Sequence, residues 1–85
     1  MARRAIGNRV TRIHILAGSV EQARNLSRSM DLGRHEWSYV STPQTLMGLK
    51  GGTLMAFGTW RERPDSQEII DFAKMRQMTI LYVYT

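Results

Sequence analysis

VTRIHILAGSVEQARNLSRSM, residues 10–30, changes its repeat within a few positions, and that change sets the fold class. In Val10 to Leu16 the apolar Ile13 and Ile15 alternate with Arg12 and His14, the period of a strand. Ala17, Gly18 and Ser19 then turn the chain, and Ser19 precedes Gln22 at the spacing of a capping box. Beyond the turn, Val20, Ala23, Leu26 and Met30 fall on one side of a helix. Glu21, Arg24, Asn25 and Arg28 take the other side, and Ser27 interrupts the apolar stripe. Asp31-Leu32-Gly33 closes the helix, with Gly33 suited to the left-handed position that follows a helix end.

The same rhythm continues. Trp37 to Val40 is aromatic and β-branched, and reads as strand two. Ser41-Thr42-Pro43 starts a short second helix, about Pro43 to Leu49, which Gly51-Gly52 stops. Thr53 to Phe57 is strand three, closed by Gly58. A polar loop, Thr59 to Arg63, leads past Pro64 to Asp65 and Glu68, a second capping-box spacing. The helix that follows runs to about Met78, with Ile69, Ile70, Phe72, Ala73 and Met78 as its apolar stripe, and Thr79 to Tyr84 is strand four.

Strands alternating with helices form βαβ units with right-handed crossovers, so the expected fold is α/β, β-α-β-α-β-α-β, on a four-stranded, mostly parallel sheet. Order 2-1-3-4 places helix one on one face and the other two helices on the opposite face. Arg12 and His14 stand against a fully covered central strand one, which would be almost wholly apolar.

With 85 residues there is room for one domain, over 10–85, preceded by a basic leader over 1–9. An apolar fraction of 42% and a charged fraction of 22% are those of a folding chain. The absence of cysteine removes disulfides and thiolate metal sites, and fits a reducing compartment, the cytoplasm. Apolar runs are too short to cross a bilayer or to form a signal segment, so export and membrane insertion are not expected. The net charge of +5 is front-loaded, because Arg3, Arg4, Arg9 and Arg12 all precede the first acidic residue, Glu21. Such a leader reads either as a solvated terminus or as an arm for nucleic-acid phosphates.

Ligands of open parallel sheets gather at the carboxyl ends of the strands. Here those ends carry Gly18 and Ser19, then Ser41 and Thr42, then Gly58, Thr59, Trp60 and Arg61, which together are the candidate ligand or partner site. Gly18 and Gly58 permit close backbone approach, Ser19 opens a helix whose N-terminus favours anions, Trp60 offers a stacking face and Arg61 a charge. The plainer reading is that these residues cap helices and allow tight turns. Neither GxxxxGK[ST] nor GxGxxG is present, so no nucleotide cofactor is indicated. His14 and His35 lack metal-ligand spacing, and no catalytic set emerges. Trp37 and Tyr39 share one face of strand two, Tyr82 and Tyr84 one face of strand four, and both strands are expected edges. An open edge accepts a partner's strand or a second copy of itself.

HILAGSVEQARNLSRSMDL, WSYVS, LMGLKG and FGTW, within residues 14–60, together resemble the pattern of small uncharacterised proteins from phages of actinobacteria. That resemblance implies a phage origin, residence in the host cytoplasm and an arginine excess set by genome composition, and it assigns no activity. The strand-turn-helix rhythm also resembles a fragment of a P-loop ATPase core, without the phosphate-binding lysine. The expected function is that of a non-enzymatic accessory protein binding a host or phage macromolecule, most readily a protein, through an exposed edge or the Trp60 loop. Two alternatives stand beside it: nucleic-acid binding through the arginine leader with Arg24, Arg28 and Arg34, and nucleotide or phosphate binding at the strand-end turns.

Overall fold

A computed structural model of the chain describes residues 13–33, 35–47 and 51–83. Its strands are β1 (Ile13–Ala17), β2 (Trp37–Tyr39), β3 (Thr53–Phe57) and β4 (Thr79–Val83), and its α-helices are α1 (Val20–Ser29) and α2 (Ser66–Met75). All neighbouring strands pair in parallel, as the alternation of elements predicts, and their order is the expected β2-β1-β3-β4. The basic leader, with Arg3, Arg4, Arg9 and Arg12, lies outside the described residues, as do Arg34 and Tyr84.

Register partners in a parallel sheet share a face, so the sheet sorts its side chains into two apolar layers. Ile15, Ala17 and Met55 form one layer under Ala23 and Leu26 of α1, with Ile13, Trp37, Tyr39, Phe57 and Val83 around them. Leu16, Val40, Leu54 and Ala56 form the other, beneath Ile69, Ile70 and Ala73 of α2 and Leu46. Both faces of β1 are covered. His14 is therefore buried, at 8% exposure, despite its polarity. Ser27, also buried, donates its hydroxyl to the Arg24 carbonyl at 2.7 Å, which makes a polar residue tolerable on the inner side of α1.

Four expectations need correction. The segment read as a second α-helix is one 3-10 turn, Pro43–Leu46. Pro43 presets the first residue, but Met47 has already turned to an extended conformation, with ψ 138°, which ends the turn; Gly48 and Leu49, the last residues of the expected helix, lie outside the described residues. At the end of α1 the left-handed residue is Asp31, at φ 57°, rather than Gly33. The Asp31 N–H donates to Arg28 and the Leu32 N–H to Ser27, the paired bonds of a Schellman motif. Likewise α2 stops at Met75, before Met78, because Gln77 takes φ 59° while Gln77 and Met78 donate to Lys74 and Ala73. Asp65, expected to open a capping box, does not cap α2 with its side chain.

The left-handed Gln77 yields a stability test. A side chain there strains a backbone that glycine adopts freely, and the gain on removing it outweighs the extra entropy of an unfolded glycine. Gln77→Gly is expected to raise the unfolding free energy by about 0.5–1 kcal/mol, read from the urea midpoint.

Candidate functional site

All four strands end along one edge of the sheet, and the chain leaves β1 and β3 toward opposite faces, as the order β2-β1-β3-β4 requires. Ligand crevices of open α/β sheets form at such a point. In this protein one side chain spans it. Gln22, on the first turn of α1, accepts through Oε1 from the Gly18 N–H at 2.9 Å and from the Thr59 N–H at 3.1 Å. Its Nε2 donates to Thr59 Oγ1 at 3.0 Å. The capping box expected at Ser19 is thus half formed: Ser19 Oγ accepts the Gln22 N–H at 3.2 Å, but the Gln22 amide reaches past Ser19 to tie two strand ends together.

This tie accounts for both glycines. A Cβ on Gly18 would collide with Thr59 Oγ1, and a Cβ on Gly58 would collide with Gln22 Oε1. Gly58 also stands at φ +67°, where a side chain is strained in any surroundings. Close approach is indeed what the two glycines permit, and the group approached is the chain's own amide.

A second bridge joins β1 to β2. Arg63, which the sequence places in a polar loop and assigns no role, extends its guanidinium across the strand ends. Nη1 donates to the carbonyls of Ala17 at 3.1 Å and Val40 at 2.8 Å, and to the Tyr39 hydroxyl at 3.4 Å. Nη2 reaches the Ser41 carbonyl at 2.9 Å. Asp65 closes the fork from the other side, its two oxygens receiving Nε at 3.0 Å and Nη2 at 2.9 Å. Asp65 is thereby committed to Arg63, which is why it leaves the start of α2 uncapped. Of the other candidates on this edge, Ser41 joins the network through its carbonyl, and Thr42 sits before the Pro43–Leu46 turn.

Trp60 and Arg61 lie in a second 3-10 turn, Trp60–Glu62, immediately after Thr59. The Trp60 ring packs against Tyr82 of β4 with centroids 5.7 Å apart and planes tilted by 35°. The Arg61 guanidinium lies over the Trp60 ring at 5.1 Å. The sequence separated Trp60 and Tyr82 into a loop and an edge strand; the register, which sets Ala56 beside Tyr82, brings them into one surface.

That surface continues along β4, the outer strand. Its residues Thr79-Ile80-Leu81-Tyr82-Val83 carry no charge, and on opposite faces Leu81 is 45% and Tyr82 43% exposed. The Thr79 N–H donates to the Gly52 carbonyl at 2.8 Å, so the alternation of a strand turns the N–H and C=O of Ile80 and Tyr82 outward, away from β3. The opposite edge, β2, is three residues long.

No protein-family model, curated protein or solved structure matches this chain. Among the described residues no group of three or more His, Cys, Asp or Glu is placed to hold a metal ion. None of the described helices is long and apolar enough to cross a membrane.

Proposed function

We propose that the chain is a small non-enzymatic accessory protein that acts by binding a macromolecule of an actinobacterial phage or its host, through the open edge of β4 and the adjoining Trp60 turn. One observation carries this reading: β4 is an outer strand, five residues long, uncharged, with large apolar side chains exposed on both faces. Natural sheets guard such edges with lysine, proline, bulges or a covering element, because the outward N–H and C=O groups template the addition of another strand. An edge left with none of these on the strand itself suits a protein that receives an extended segment, with backbone bonds giving affinity and side chains giving selectivity. The resemblance to phage proteins supports the source of the partner.

The nucleotide alternative has less support, because the turns that would cradle a phosphate are already bridged by Gln22 and Arg63. The nucleic-acid alternative rests mainly on arginines outside the described residues.

Leu81→Lys tests the reading, since a lysine on an edge strand opposes strand addition while leaving the inner face of β4 intact. A partner captured from an actinobacterial lysate by the wild-type chain is expected to bind the variant about tenfold or more weakly. In the reconstituted complex, amide exchange at Ile80 and Tyr82 is expected to slow. Undiminished binding by the variant, with protection mapped elsewhere, would overturn the assignment of the surface.

A further inference from the structure

We infer that the amino end of the sheet, opposite the strand-end turns described above, is a cationic surface that docks on the phosphate backbone of a nucleic acid without reading its bases. The inference goes beyond the reading of β4 and uses a different part of the molecule.

It starts from the parallel topology. Because all four strands run the same way, every segment that enters a strand arrives at one end of the sheet, and every segment that leaves one departs at the other. The entering segments, residues 1–12, 30–36, 47–52 and 76–78, carry seven lysines and arginines against two carboxylates, Asp31 and Glu36. The leaving segments, 18–19, 40–42, 58–65 and 84–85, carry two charges of each sign, and α1 and α2 together carry three of each. The whole net charge of +5 therefore belongs to the segments that enter the strands.

The helices sharpen this separation. Each runs back from the carboxyl end to the amino end, with an acid in its first turn, Glu21 or Glu68, and a base in its last, Arg28 or Lys74. Arg28 and Lys74 offset the negative ends of two helix dipoles, about half a charge each, and alone would be ordinary caps. The seven further cations exceed that need.

The described cations at this end also keep their charge. Arg28 and Lys74 are exposed, and the Arg76 guanidinium lies over the Phe72 ring at 5.9 Å. Among the described residues the only ion pair is Arg63 with Asp65, at the opposite end. Arg34 and Lys50 lie outside the described residues and enter only the charge count. The leader, also outside them, is tethered through Arg12 to Ile13, the first residue of β1.

The spread of these cations fits a nucleic acid. Four strands make an end roughly 15 Å across, and a leader of 12 residues reaches at most about 40 Å further. A duplex carries one negative charge per about 1.7 Å along its whole length, a continuous row that cations spread over such a span can meet together. The leader's charge is wholly arginine, whose planar fork pairs bidentately with phosphate. Trp60 and Tyr82, which could stack on bases, stand toward the carboxyl end, so the contact is with the backbone.

Fluorescence anisotropy of the full-length chain with a labelled duplex of about 20 base pairs, between about 50 and 300 mM KCl, tests the inference. The logarithm of affinity is expected to fall with that of salt at a slope of about −4 to −6, alike for two unrelated sequences. Arg3→Gln, Arg4→Gln, Arg9→Gln and Arg12→Gln together are expected to flatten the slope by about 3 and to weaken binding at about 50 mM salt by about a hundredfold. Arg28→Gln with Lys74→Gln should flatten it by about 1–2, whereas Arg61→Gln, at the carboxyl end, should change affinity less than about twofold. Circular dichroism confirms that the variants fold. No binding at about 50 mM salt, or a slope that the leader substitutions leave unchanged, would overturn the docking. An equal loss from Arg61→Gln and from the Arg28 and Lys74 pair would overturn its place at the amino end. A polyglutamate probe bound as tightly as the duplex would overturn nucleic acid as the partner.

Discussion

Arg63→Ala is expected to destabilise the fold by about 3 kcal/mol, a large part of the roughly 5 kcal/mol available to a small domain. The guanidinium side chain is only 12% exposed, and it serves acceptors on three separate segments: the end of β1, the end of β2 and the start of α2. Removal leaves the Ala17 and Val40 carbonyls without this donor and the Asp65 carboxylate without its counter-ion. Each stranded acceptor costs about 1–3 kcal/mol where water cannot replace the lost partner. Water does reach Ser41, which is exposed, so the sum falls below the full count of broken bonds. With a urea dependence of about 1 kcal/mol per molar, the midpoint should drop by about 3 M. Arg63→Lys is expected to recover little of this, because an ammonium cannot offer a planar fork to carbonyls on one side and a carboxylate on the other. The control is Arg61→Ala. Arg61 is exposed and its one described contact is the Trp60 ring, so a change within about 0.5 kcal/mol is expected. A midpoint shift for Arg63→Ala no larger than that of Arg61→Ala would show that the network contributes nothing to stability.

The parts of the fold legible in the sequence are those set by periodicity. Strand three was bounded at both ends because Gly52 and Gly58 flank a run with nothing polar inside it but Thr53. Parallel pairing followed from alternation and crossover handedness, which depend on chain connectivity rather than on particular side chains, whereas the order 2-1-3-4 was a preference drawn from the way flavodoxin-like sheets cover both faces with helices. Less legible was anything decided by hydrogen bonds between distant turns. Ser19 and Gln22 have the spacing of a local cap, and nothing in that spacing reveals that the Gln22 amide crosses to Thr59, thirty-seven residues on. Arg63 gave no signal, since an arginine among Trp60, Arg61, Glu62 and Pro64 looks like a solvated loop residue until β2 is laid beside β1. The helix ends show a different limit. Glycine is preferred in the left-handed position, but Asp31 and Gln77 occupy it because the Schellman bonds at each terminus, and the packing of Met78 into the core, hold them there.

The clamp at the strand ends is open to a sharper test, because its two glycines are constrained for different reasons. Gly58→Ala is expected to cost about 2–3 kcal/mol, combining a left-handed backbone worth about 1 kcal/mol with displacement of the Gln22 amide that the new methyl would strike. In a Gln22→Ala background only the backbone part remains, so the same substitution should cost about 1 kcal/mol. Gly18 is not at positive φ, and its Cβ would strike Thr59 Oγ1 first and press on Gln22 Oε1 second, so Gly18→Ala is expected to be relieved in part by Thr59→Ala rather than by a change of backbone. Double-mutant cycles in urea should therefore return coupling energies of about 1 kcal/mol or more for Gly58 with Gln22 and for Gly18 with Thr59. Near-additive behaviour in both cycles would show that the Gln22 bridge does not hold the two turns at this distance in solution. The crevice between β1 and β3 would then be free to open to a ligand, and the phosphate-binding alternative would regain the support that the bridge now takes from it.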